Sequence, residues 1–583
     1  MLKFLKYLAK YWWQVVILFA GVCLQVWSSL QLPDMMSQIV NKGIIGADQT
    51  YIYREGGLML LVTIAGGIGT LVAGFFAARV GAAVAAKIRE DTFKKVISFS
   101  PNETNKFSTA SLITRSTNDV NQVQQVTIMG LRMALQAPLM GVGAVVKAFT
   151  TAPDMAWIIA LAVGSLLTVI ITVMIFALPK FRFLQKLIDK LNSVTRENLT
   201  GIRVVRAFNN EKYEQKKFQK ANDELTKTNL FVNRVMVVVF PIVQLILNVT
   251  TLLVIWVGAS FVEKGAVEIG NLMAFMQYAL QVMMAFMFLA MIFIMLPRAM
   301  VSWKRIDEVL TTKLSIRPPK KAKKPRSGEH GIVEFKGVSF SYPDADEPVL
   351  RDISFKAEPG QTVAFIGSTG SGKSTLINLI PRFYDVSSGQ VLLDGVDVRD
   401  YASKDLTDKI GYVPQRGVLF SGSVESNVAY GMDDKDEKRI TKAIDIAQAH
   451  EFVRKMDDGV KSKISQGGTN VSGGQKQRLS IARAIAKDPE IYIFDDSFSA
   501  LDYRTDRNLR AALKKQTKNA TVLIVGQRIS TIKSADKIIV LDEGKVVGDG
   551  THRELLESCR VYQEIARSQL STAEYAAEVS HGE

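Results

Sequence analysis

The hydrophobic residues of this 583-residue chain are concentrated in its first half, where they form long runs. Six of these runs reach the ~20 residues that an α-helix needs to cross the hydrocarbon core of a bilayer. The third run is the weakest, because it contains Arg132, expected near its inner end, and Lys147, expected to reach the outer interface. We predict membrane-spanning helices near residues 12–33, 57–80, 126–150, 155–179, 235–262 and 270–297.

The polar segments between these runs alternate in length and charge. Those predicted to be external are short, whereas the segments at about 81–125 and 180–234 are long and rich in lysine and arginine. By the positive-inside rule the basic segments are cytoplasmic, which predicts a multi-pass protein of the cell membrane with both termini in the cytoplasm. Each long segment turns at a short stretch, 100–107 and 207–213, that would contact whatever lies beneath the membrane.

The second half of the chain has a different pattern. After residue 331, short apolar runs alternate with amphipathic helices, which is typical of an α/β domain. The stretch 311–331 is rich in proline and lysine and indicates a solvated linker. We therefore predict a helical membrane domain over 1–310, a basic linker over 311–331 and an α/β domain over 332–583.

The net charge and the cysteine content narrow the classes of protein to which this chain could belong. The formal net charge of +16 would suit a nucleic-acid-binding protein. Lysine and arginine in cytoplasmic loops explain the same excess, so we expect no nucleic-acid partner. Cys23 and Cys559 are too few for a disulfide framework or a zinc site. Three lysines precede the first apolar run, which has no small-residue cleavage site, and this is the pattern of a signal anchor.

Several side chains inside the predicted spans are candidates for function. The sixth span is rich in methionine and phenylalanine, which can repack around dissimilar apolar guests, although ordinary packing explains the same composition. Asp34 is either a functional intramembrane carboxylate or a residue at headgroup level. Amides at membrane depth should face a partner or a wet cavity, because an unpaired amide in lipid is costly. These amides are Gln244, Asn248, Gln277 and Gln281.

The strongest motif of the second half is a glycine-rich loop. Residues 367–374 match G-x-x-x-x-G-K-[ST] and lie between an apolar run at 362–366 and a predicted helix at 375–380. The backbone N–H groups of such a loop bind phosphates, Lys373 would reach the β- and γ-phosphates, and Ser374 would bind Mg²⁺. The predicted nucleotide-binding residues are Gly367, Ser368, Thr369, Gly370, Ser371, Gly372, Lys373, Ser374 and Thr375.

Three further features belong to the same chemistry. Two glycines and a serine open a basic helix at 476–487 and form a second anion site; this clamp consists of Ser472, Gly473, Gly474 and Gln475. The glycine-rich loop already binds the γ-phosphate of the nucleotide in its own domain. We therefore expect the clamp to close on a nucleotide held by another molecule. Asp495 ends a buried run as the carboxylate on the magnesium side. Tyr342 is predicted to be an exposed ring that stacks on adenine.

Together with Gln415 in Val-Pro-Gln, these motifs in this order resemble the nucleotide-binding domain of ABC transporters. The six spans and the segment 197–208 (ENLTGIRVVRAF) are similar to the exporter half-transporters of that superfamily. The resemblance implies six transmembrane helices followed by an α/β P-loop nucleotide-binding domain. It also implies a domain-swapped dimer in which each of two ATP molecules lies between the P-loop of one chain and the clamp of the other. Gln415 would join the Mg²⁺ ligands and signal the bound nucleotide to the segments 100–107 and 207–213.

The chain departs from that family at two positions. Active members have glutamate directly after the aspartate of the third motif, as base for the attacking water, where this chain has Asp496. They have histidine after a later strand, where this chain has Gln527. Aspartate is one methylene shorter, a misplacement of ~1 Å can cost on the order of 10²-fold in rate, and glutamine lacks the protonation chemistry of imidazole. The histidines of the chain lie elsewhere, at His330, His450, His552 and His581.

These departures predict an unequal pair. A homodimer would contain two altered sites, so we expect an obligate heterodimer with a second, different ABC half-transporter. This chain would bind ATP and hydrolyse it poorly, while its clamp completes the partner's active site. The predicted function is multidrug efflux, the export of hydrophobic or amphipathic small molecules across the lipid bilayer. A lipid or peptide exporter would share every motif of the ATP site, and a non-transporting ATP-gated membrane sensor would also suit the altered site.

Overall fold

The computed structural model describes residues 2–325, 328, 330–343, 345–434, 436–571 and 573–575. The chain divides into two compact units, one formed by residues 1–97 with 109–312 and the other by residues 98–108 with 313 onward. Three residues of the predicted linker, Arg326, Ser327 and Glu329, lie outside the described residues, as does His581.

The described part of the first unit is built from long helices. Six segments are long and apolar enough to cross a membrane, which confirms the six predicted spans. Several extend far beyond a bilayer: α3 has 49 residues and α9 has 53, so each reaches roughly 70–80 Å at 1.5 Å per residue. In chain order the helices up to residue 311 are α1 (Leu2–Ala9), α2 (Trp12–Gln38, continued by a π-helix at Ile39–Ile44), α3 (Gln49–Ile97), α4 (Pro101–Phe107), α5 (Thr109–Ser116), α6 (Asn118–Thr151), α7 (Ala156–Thr200), α8 (Ile202–Ala207), α9 (Glu211–Glu263) and α10 (Ile269–Thr311).

A polar cluster joins three of these spans. Asp34 on α2 forms an ion pair with Lys147 on α6, and the hydroxyl of Tyr278 on α10 donates to the other oxygen of Asp34. Because an unpaired charge in a membrane span is costly, this pairing fixes the three helices against one another. The amide nitrogen of Gln281 donates to the carbonyl of Ser29 at 2.9 Å, so a neighbouring span pairs this donor, whereas its buried amide oxygen accepts no hydrogen bond from the described residues.

One of the two segments predicted to contact material beneath the membrane, 100–107, is a short capped helix of the second unit. Ser100 and Glu103 form a capping box at the start of α4. The carboxylate of Glu103 also accepts the backbone N–H of Ser315 at 2.8 Å. Burial acts to raise the pKa of Glu103, but the hydrogen bonds from Ser100 and Ser315 outweigh it and hold the pKa at about 2. The segment is thereby tied to the first residues after α10.

The second unit contains a mainly parallel sheet that sets the positions of the predicted site. Its strand order is β12-β11-β3-β10-β9-β6, with β12 antiparallel at one edge. Strands β9 and β10 are buried along their whole length, as expected of strands covered on both faces. The strands are β3 (Thr362–Gly367), β6 (Ile410–Val413), β9 (Ile491–Asp495), β10 (Thr521–Val525), β11 (Lys537–Asp542) and β12 (Lys545–Gly550).

Smaller elements complete this unit. A four-stranded antiparallel sheet has the order β2-β1-β4-β5, and a two-stranded sheet pairs β7 with β8. These strands are β1 (Val333–Phe340), β2 (Leu350–Ala357), β4 (Ser388–Leu393), β5 (Val396–Asp397), β7 (Gly422–Ser423) and β8 (Lys463–Ile464). The helices are α11 (Lys373–Leu379), α12 (Ser403–Asp408), α13 (Val424–Val428), α14 (Glu437–Ile446), α15 (His450–Arg454), α16 (Gly473–Lys487), α17 (Tyr503–Gln516), α18 (Ile529–Ile532), α19 (His552–Ser558) and α20 (Arg560–Gln569).

Candidate nucleotide-binding site

The parallel strands bring distant segments of the chain to one edge of the sheet. Strands β3, β10, β9 and β6 run parallel and side by side. Their carboxyl ends lead into the glycine-rich loop, Gln527, Asp496 and Gln415, respectively. Ligands of open α/β sheets bind at the carboxyl ends of the strands, so this edge is the candidate site.

The loop after β3 depends on its glycines. Gly370 and Gly372 have φ angles of 88° and 95°, in the left-handed region that favours glycine. A Cβ atom at Gly372 would lie 2.7 Å from a side-chain carbon of Leu350, and one at Gly367 would lie 2.0 Å from the carbonyl oxygen of Leu541. A side chain would therefore clash at Gly367 or Gly372. Because glycine has no side chain, the loop can bend closely enough to present its N–H groups to phosphate.

Lys373 lies folded over this loop. Its ammonium donates to the carbonyls of Gly367 at 2.9 Å and Ser368 at 2.7 Å, and to the hydroxyl of Ser371 at 3.2 Å. Burial lowers the pKa of Lys373, an effect opposed by the nearby carboxylates of Asp496 and Asp495. A phosphate that replaced these three acceptors would give the buried ammonium a full counter-charge.

Ser374 and Asp495 form the magnesium side of the candidate site. The hydroxyl of Ser374 donates to Asp495 at 2.9 Å, which places two potential oxygen ligands together. The described residues contain no cluster of three or more His, Cys, Asp or Glu that could hold a metal by themselves. Mg²⁺ commonly uses one or two protein oxygens together with phosphates, so the pair fits an ion brought in with a nucleotide.

The two altered positions meet at Asp496. Its Oδ2 atom accepts the side-chain N–H of Gln527 at 2.9 Å and that of Gln415 at 3.2 Å. Burial raises the pKa of Asp496, and the hydrogen bond from Gln415 opposes that rise. The structure thus joins Gln415 to Asp496 and not directly to the Ser374–Asp495 pair with which it was predicted to bind Mg²⁺.

Gln569 is a residue of this region that sequence reasoning missed. Its amide nitrogen donates to the carbonyl of Gln527 at 2.7 Å, and its amide oxygen accepts the N–H of Ile529 at 2.8 Å. The end of α20 therefore fixes the backbone that carries Gln527. A glutamine at the end of a C-terminal helix carries no motif, so nothing local in the sequence identifies it.

Tyr342 lies beside the loop but is not the exposed ring that was predicted. It is half-buried, and it meets Phe340 and Tyr384 edge to face with ring centroids 4.9 and 5.3 Å apart. Its hydroxyl lies 3.0 Å from the hydroxyl of Thr375. The prediction of an exposed ring is wrong because Tyr384, which is distant in sequence, covers one side of it together with the nearby Phe340.

The clamp at 472–475 is a preformed helix N-terminus. Ser472 caps α16, and the side chain of Gln475 accepts the backbone N–H of Ser472 at 2.9 Å. A Cβ atom at Gly473 would meet no heavy atom within 4 Å, so this glycine faces open space. Among the described residues, no hydrogen bond joins the clamp to the loop at 367–375.

Binding of Mg-ATP to this site should fall at both acidic and alkaline pH. Burial raises the pKa of Asp495, with Asp496 adding to the rise, so its Mg²⁺-binding form is lost at higher pH than for an ordinary aspartate. The lowered pKa of Lys373 removes its charge at a lower pH than for an ordinary lysine. Titration of a fluorescent ATP analogue across pH measures both limbs. The terminal phosphate of the nucleotide also gains a proton near pH ~6, so Asp495→Asn should change the midpoint of the acidic limb without abolishing the limb. A midpoint identical to that of the unsubstituted chain contradicts the assignment.

Comparison with known proteins agrees over most of the chain. Residues 15–286 match the family described as ABC transporter transmembrane region, and residues 350–499 match the family described as ABC transporter. An uncharacterized ABC transporter ATP-binding protein of Mycobacterium tuberculosis is 42% identical over 549 residues, covering 94% of each chain. An ATP-dependent lipid A-core flippase of Hahella chejuensis is 31% identical over 588 residues, covering 98% of this chain and 97% of its own.

A solved structure agrees in fold. The chain is similar to a bacterial Atm1-family ABC exporter with ATP bound, with a TM-score of 0.80 and 23% sequence identity. The similarity covers 96% of this chain and 99% of that one, so it extends over both units.

Proposed function

This chain belongs to the ABC transporter superfamily as an exporter-type half-transporter, and on that premise we propose that it is one subunit of a heterodimeric exporter. Its own P-loop site binds Mg-ATP and hydrolyses it slowly. Its clamp at 472–475 completes the faster site, whose P-loop and catalytic groups belong to a different half-transporter. The pump moves hydrophobic or amphipathic compounds across the cell membrane, with both termini of this chain in the cytoplasm.

The observation that carries this proposal is the environment of Asp496. A base for water attack needs a carboxylate oxygen free to reach the water and a partner that orients it. The Oδ2 atom of Asp496 accepts hydrogen bonds from two amides, Gln527 and Gln415, which make the carboxylate a weaker base, and neither amide is an imidazole that could orient the water. The groups proposed to bind nucleotide, in contrast, keep the residue types that binding of phosphate and Mg²⁺ requires. This combination supports a site that retains ATP and turns it over slowly.

The substrate class rests on the sixth span. Part of its methionine and aromatic content packs inside the unit, since Phe275, Tyr278 and Met283 are buried. Met284 and Met291 are exposed on the same helix, where flexible thioethers can contact apolar molecules of different shape. These exposed methionines support a polyspecific hydrophobic surface.

The test is to purify this chain alone and together with a co-expressed half-transporter that has glutamate and histidine at the two altered positions. We expect the pair to hydrolyse ATP on the order of 10²-fold faster per complex than this chain alone, because only the pair has a correctly placed base. Phosphate release measures the rate, and nucleotide binding to each preparation is the control for folding. Fast hydrolysis by this chain alone would overturn the proposal.

Lipid export is the second candidate. The relative from Hahella chejuensis is named a lipid A-core flippase and aligns with almost the whole of this chain. Vesicles that contain the pair distinguish the two candidates when a fluorescent lipid and a fluorescent hydrophobic dye are compared. ATP-dependent movement of the lipid without the dye favours the lipid exporter.

A further inference from the structure

The outer ends of α2 and α10 are joined by a set of short hydrogen bonds that neither the ATP site nor the proposed substrate surface uses. The amide nitrogen of Asn41 donates to the carboxylate of Glu268 at 2.6 Å, and its amide oxygen accepts the backbone N–H of Gly270 at 2.7 Å. The hydroxyl of Ser37 donates to the amide oxygen of Asn271 at 2.6 Å. We call this set of contacts the outer latch; its residues are Ser37, Asn41, Glu268, Gly270 and Asn271.

The latch brings the two backbones into contact. A Cβ atom at Gly270 would lie 2.4 Å from the carbonyl oxygen of Ser37 and 2.6 Å from the amide oxygen of Asn41, so no space remains between the two segments. Asn41 lies in the π-helix Ile39–Ile44, and π-helical turns are frequent at functional positions. Gly270 belongs to the first turn of α10, where backbone N–H groups lack partners within the helix, so Asn41 caps α10 from another segment.

Polar contacts between the same two helices continue below the latch. The hydroxyl of Tyr278 donates to Asp34 and lies 3.0 Å from the carbonyl oxygen of Leu30. The α2 residues that make these contacts recur every three or four positions, so they share one face of the helix. They are Leu30, Asp34, Ser37 and Asn41. Over its outer half, α2 is thus held to α10 by hydrogen bonds.

The contact between α2 and α3 is of a different kind. A Cβ atom at Gly69 would lie 2.7 Å from the carbonyl oxygen of Gly21. One at Gly66 would lie 2.4 Å from the hydroxyl of Ser28. Around these close approaches the facing side chains are apolar and buried: Leu18, Val22, Val26, Ala73 and Ala77. Close packing of small residues is a usual basis of helix association in membranes, and it makes α2 and α3 a rigid pair.

We infer that the outer latch is a gate: α2 and α3 move together as the rigid pair, and the bundle opens to the outside where that pair parts from α10. The latch groups are polar and lie at the outer edge, so water can take over their hydrogen bonds when they separate. Neither water nor lipid can replace the close packing between α2 and α3. Opening stops above Asp34, because its separation from Lys147 inside the membrane would be costly.

The positive-inside rule places the latch on the outer side. Opening of the latch during transport rests on the proposed function, because only an exporter has to release its substrate there. Closure of the resting chain by the latch does not depend on that function. The two statements are therefore tested separately.

The first test measures closure of the resting chain. Ala274 is 2% exposed and shares a face of α10 with Gly270 and Tyr278, so it lies beneath the latch. Ala274→Cys, in a chain whose two native cysteines are replaced by serine, is labelled with a membrane-impermeant maleimide in right-side-out vesicles. Asn41→Ala should raise the labelling rate about tenfold, because it removes two short hydrogen bonds and the rate follows the population of the open state.

Gln38→Ala is the matched control. Gln38 also carries an amide at the outer end of α2, but this amide accepts a hydrogen bond from Tyr51 of α3, within the rigid pair. The labelling rate should therefore stay the same. Binding of a fluorescent ATP analogue by each variant checks that the chain remains folded.

The second test uses cross-links in the co-expressed heterodimer. Ser37→Cys with Asn271→Cys joins α2 to α10 at side chains that meet at 2.6 Å. Gly43→Cys with Ile52→Cys joins the end of α2 to α3, since the two Cβ positions are 3.7 Å apart, within the ~3.5–4.5 Å range of disulfides. The first cross-link should abolish ATP-dependent dye movement, and a reducing agent should restore it. The second cross-link lies inside the rigid pair and should leave dye movement unchanged.

Either of two results would overturn the inference. An unchanged labelling rate in Asn41→Ala would show that these hydrogen bonds do not close the outer side. Equal loss of transport with both cross-links would show that α2 and α3 do not move together. A heterodimer that moves no dye before any cross-link contradicts the proposed function instead, and the labelling result, which needs neither ATP nor a partner, still decides on the latch.

Discussion

Gly473→Asp should reduce ATP hydrolysis by the heterodimer about 10²–10³-fold while this chain still binds ATP at its own P-loop. The new carboxylate would stand at the N-terminus of α16, where the clamp is proposed to receive the γ-phosphate of the partner's nucleotide. Loss of one well-placed anion-stabilising group costs on the order of 10²–10³ in rate, and a negative charge at that place adds repulsion. Photolabelling with an azido-ATP measures binding at each subunit, and phosphate release measures turnover.

The structure indicates that Gly473→Asp changes the charge at the clamp without disturbing the local fold. Gly473 has open space around its Cβ position, so the aspartate side chain fits without moving a neighbour. An acidic residue in the first turn of a helix is favourable for the helix itself. Gly473→Asn has the same shape without the charge and should keep much more activity. Full hydrolysis by the Gly473→Asp heterodimer would mean that the clamp takes no part in the active site.

Asp496→Glu together with Gln527→His should raise hydrolysis by this chain alone, by about 10²-fold. The longer carboxylate would regain the reach lost in aspartate, and imidazole would replace an amide that only shares the oxygen of Asp496. Each single change should give far less, because glutamate without imidazole lacks its orienting partner and imidazole without glutamate lacks the base. Single-turnover hydrolysis at saturating ATP is the measurement.

Gln569 offers a further check on that result. It holds the backbone of Gln527 and Ile529 through two hydrogen bonds. Gln569→Ala in the double variant should therefore lower the regained rate, because the histidine would lose its fixed position. A double variant that binds ATP normally and shows no gain would refute the view that Asp496 and Gln527 alone limit this site.

The six membrane spans could be predicted from the sequence because each is a local property. A run of about twenty apolar residues is long enough to cross a bilayer whatever surrounds it, and all six predicted runs lie in long helices. The strand Thr521–Val525 and the loop before Lys373 were also local, since an apolar run and a glycine pattern are contained in a few adjacent residues.

The contacts between separate segments could not be predicted in this way. The sequence identified Asp496, Gln527 and Gln415 one by one, but the parallel strands place the amides of Gln527 and Gln415 so that both donate to one oxygen of Asp496. Tyr342 was predicted to be exposed, and packing against Phe340 and Tyr384 half-buried it. Asp34 had two interpretations until Lys147 and Tyr278, more than a hundred residues away, were found to bind it.

The sequence by itself therefore determined the classes of element and the types of chemical group in this protein. Helix length, hydropathy and loop composition depend on neighbours along the chain, and they carry that information. The tertiary structure decided which two amides donate to one oxygen of Asp496, which ring is covered, and which residues pair with Asp34. Those properties depend on distances in space between residues far apart in sequence, which no local pattern contains.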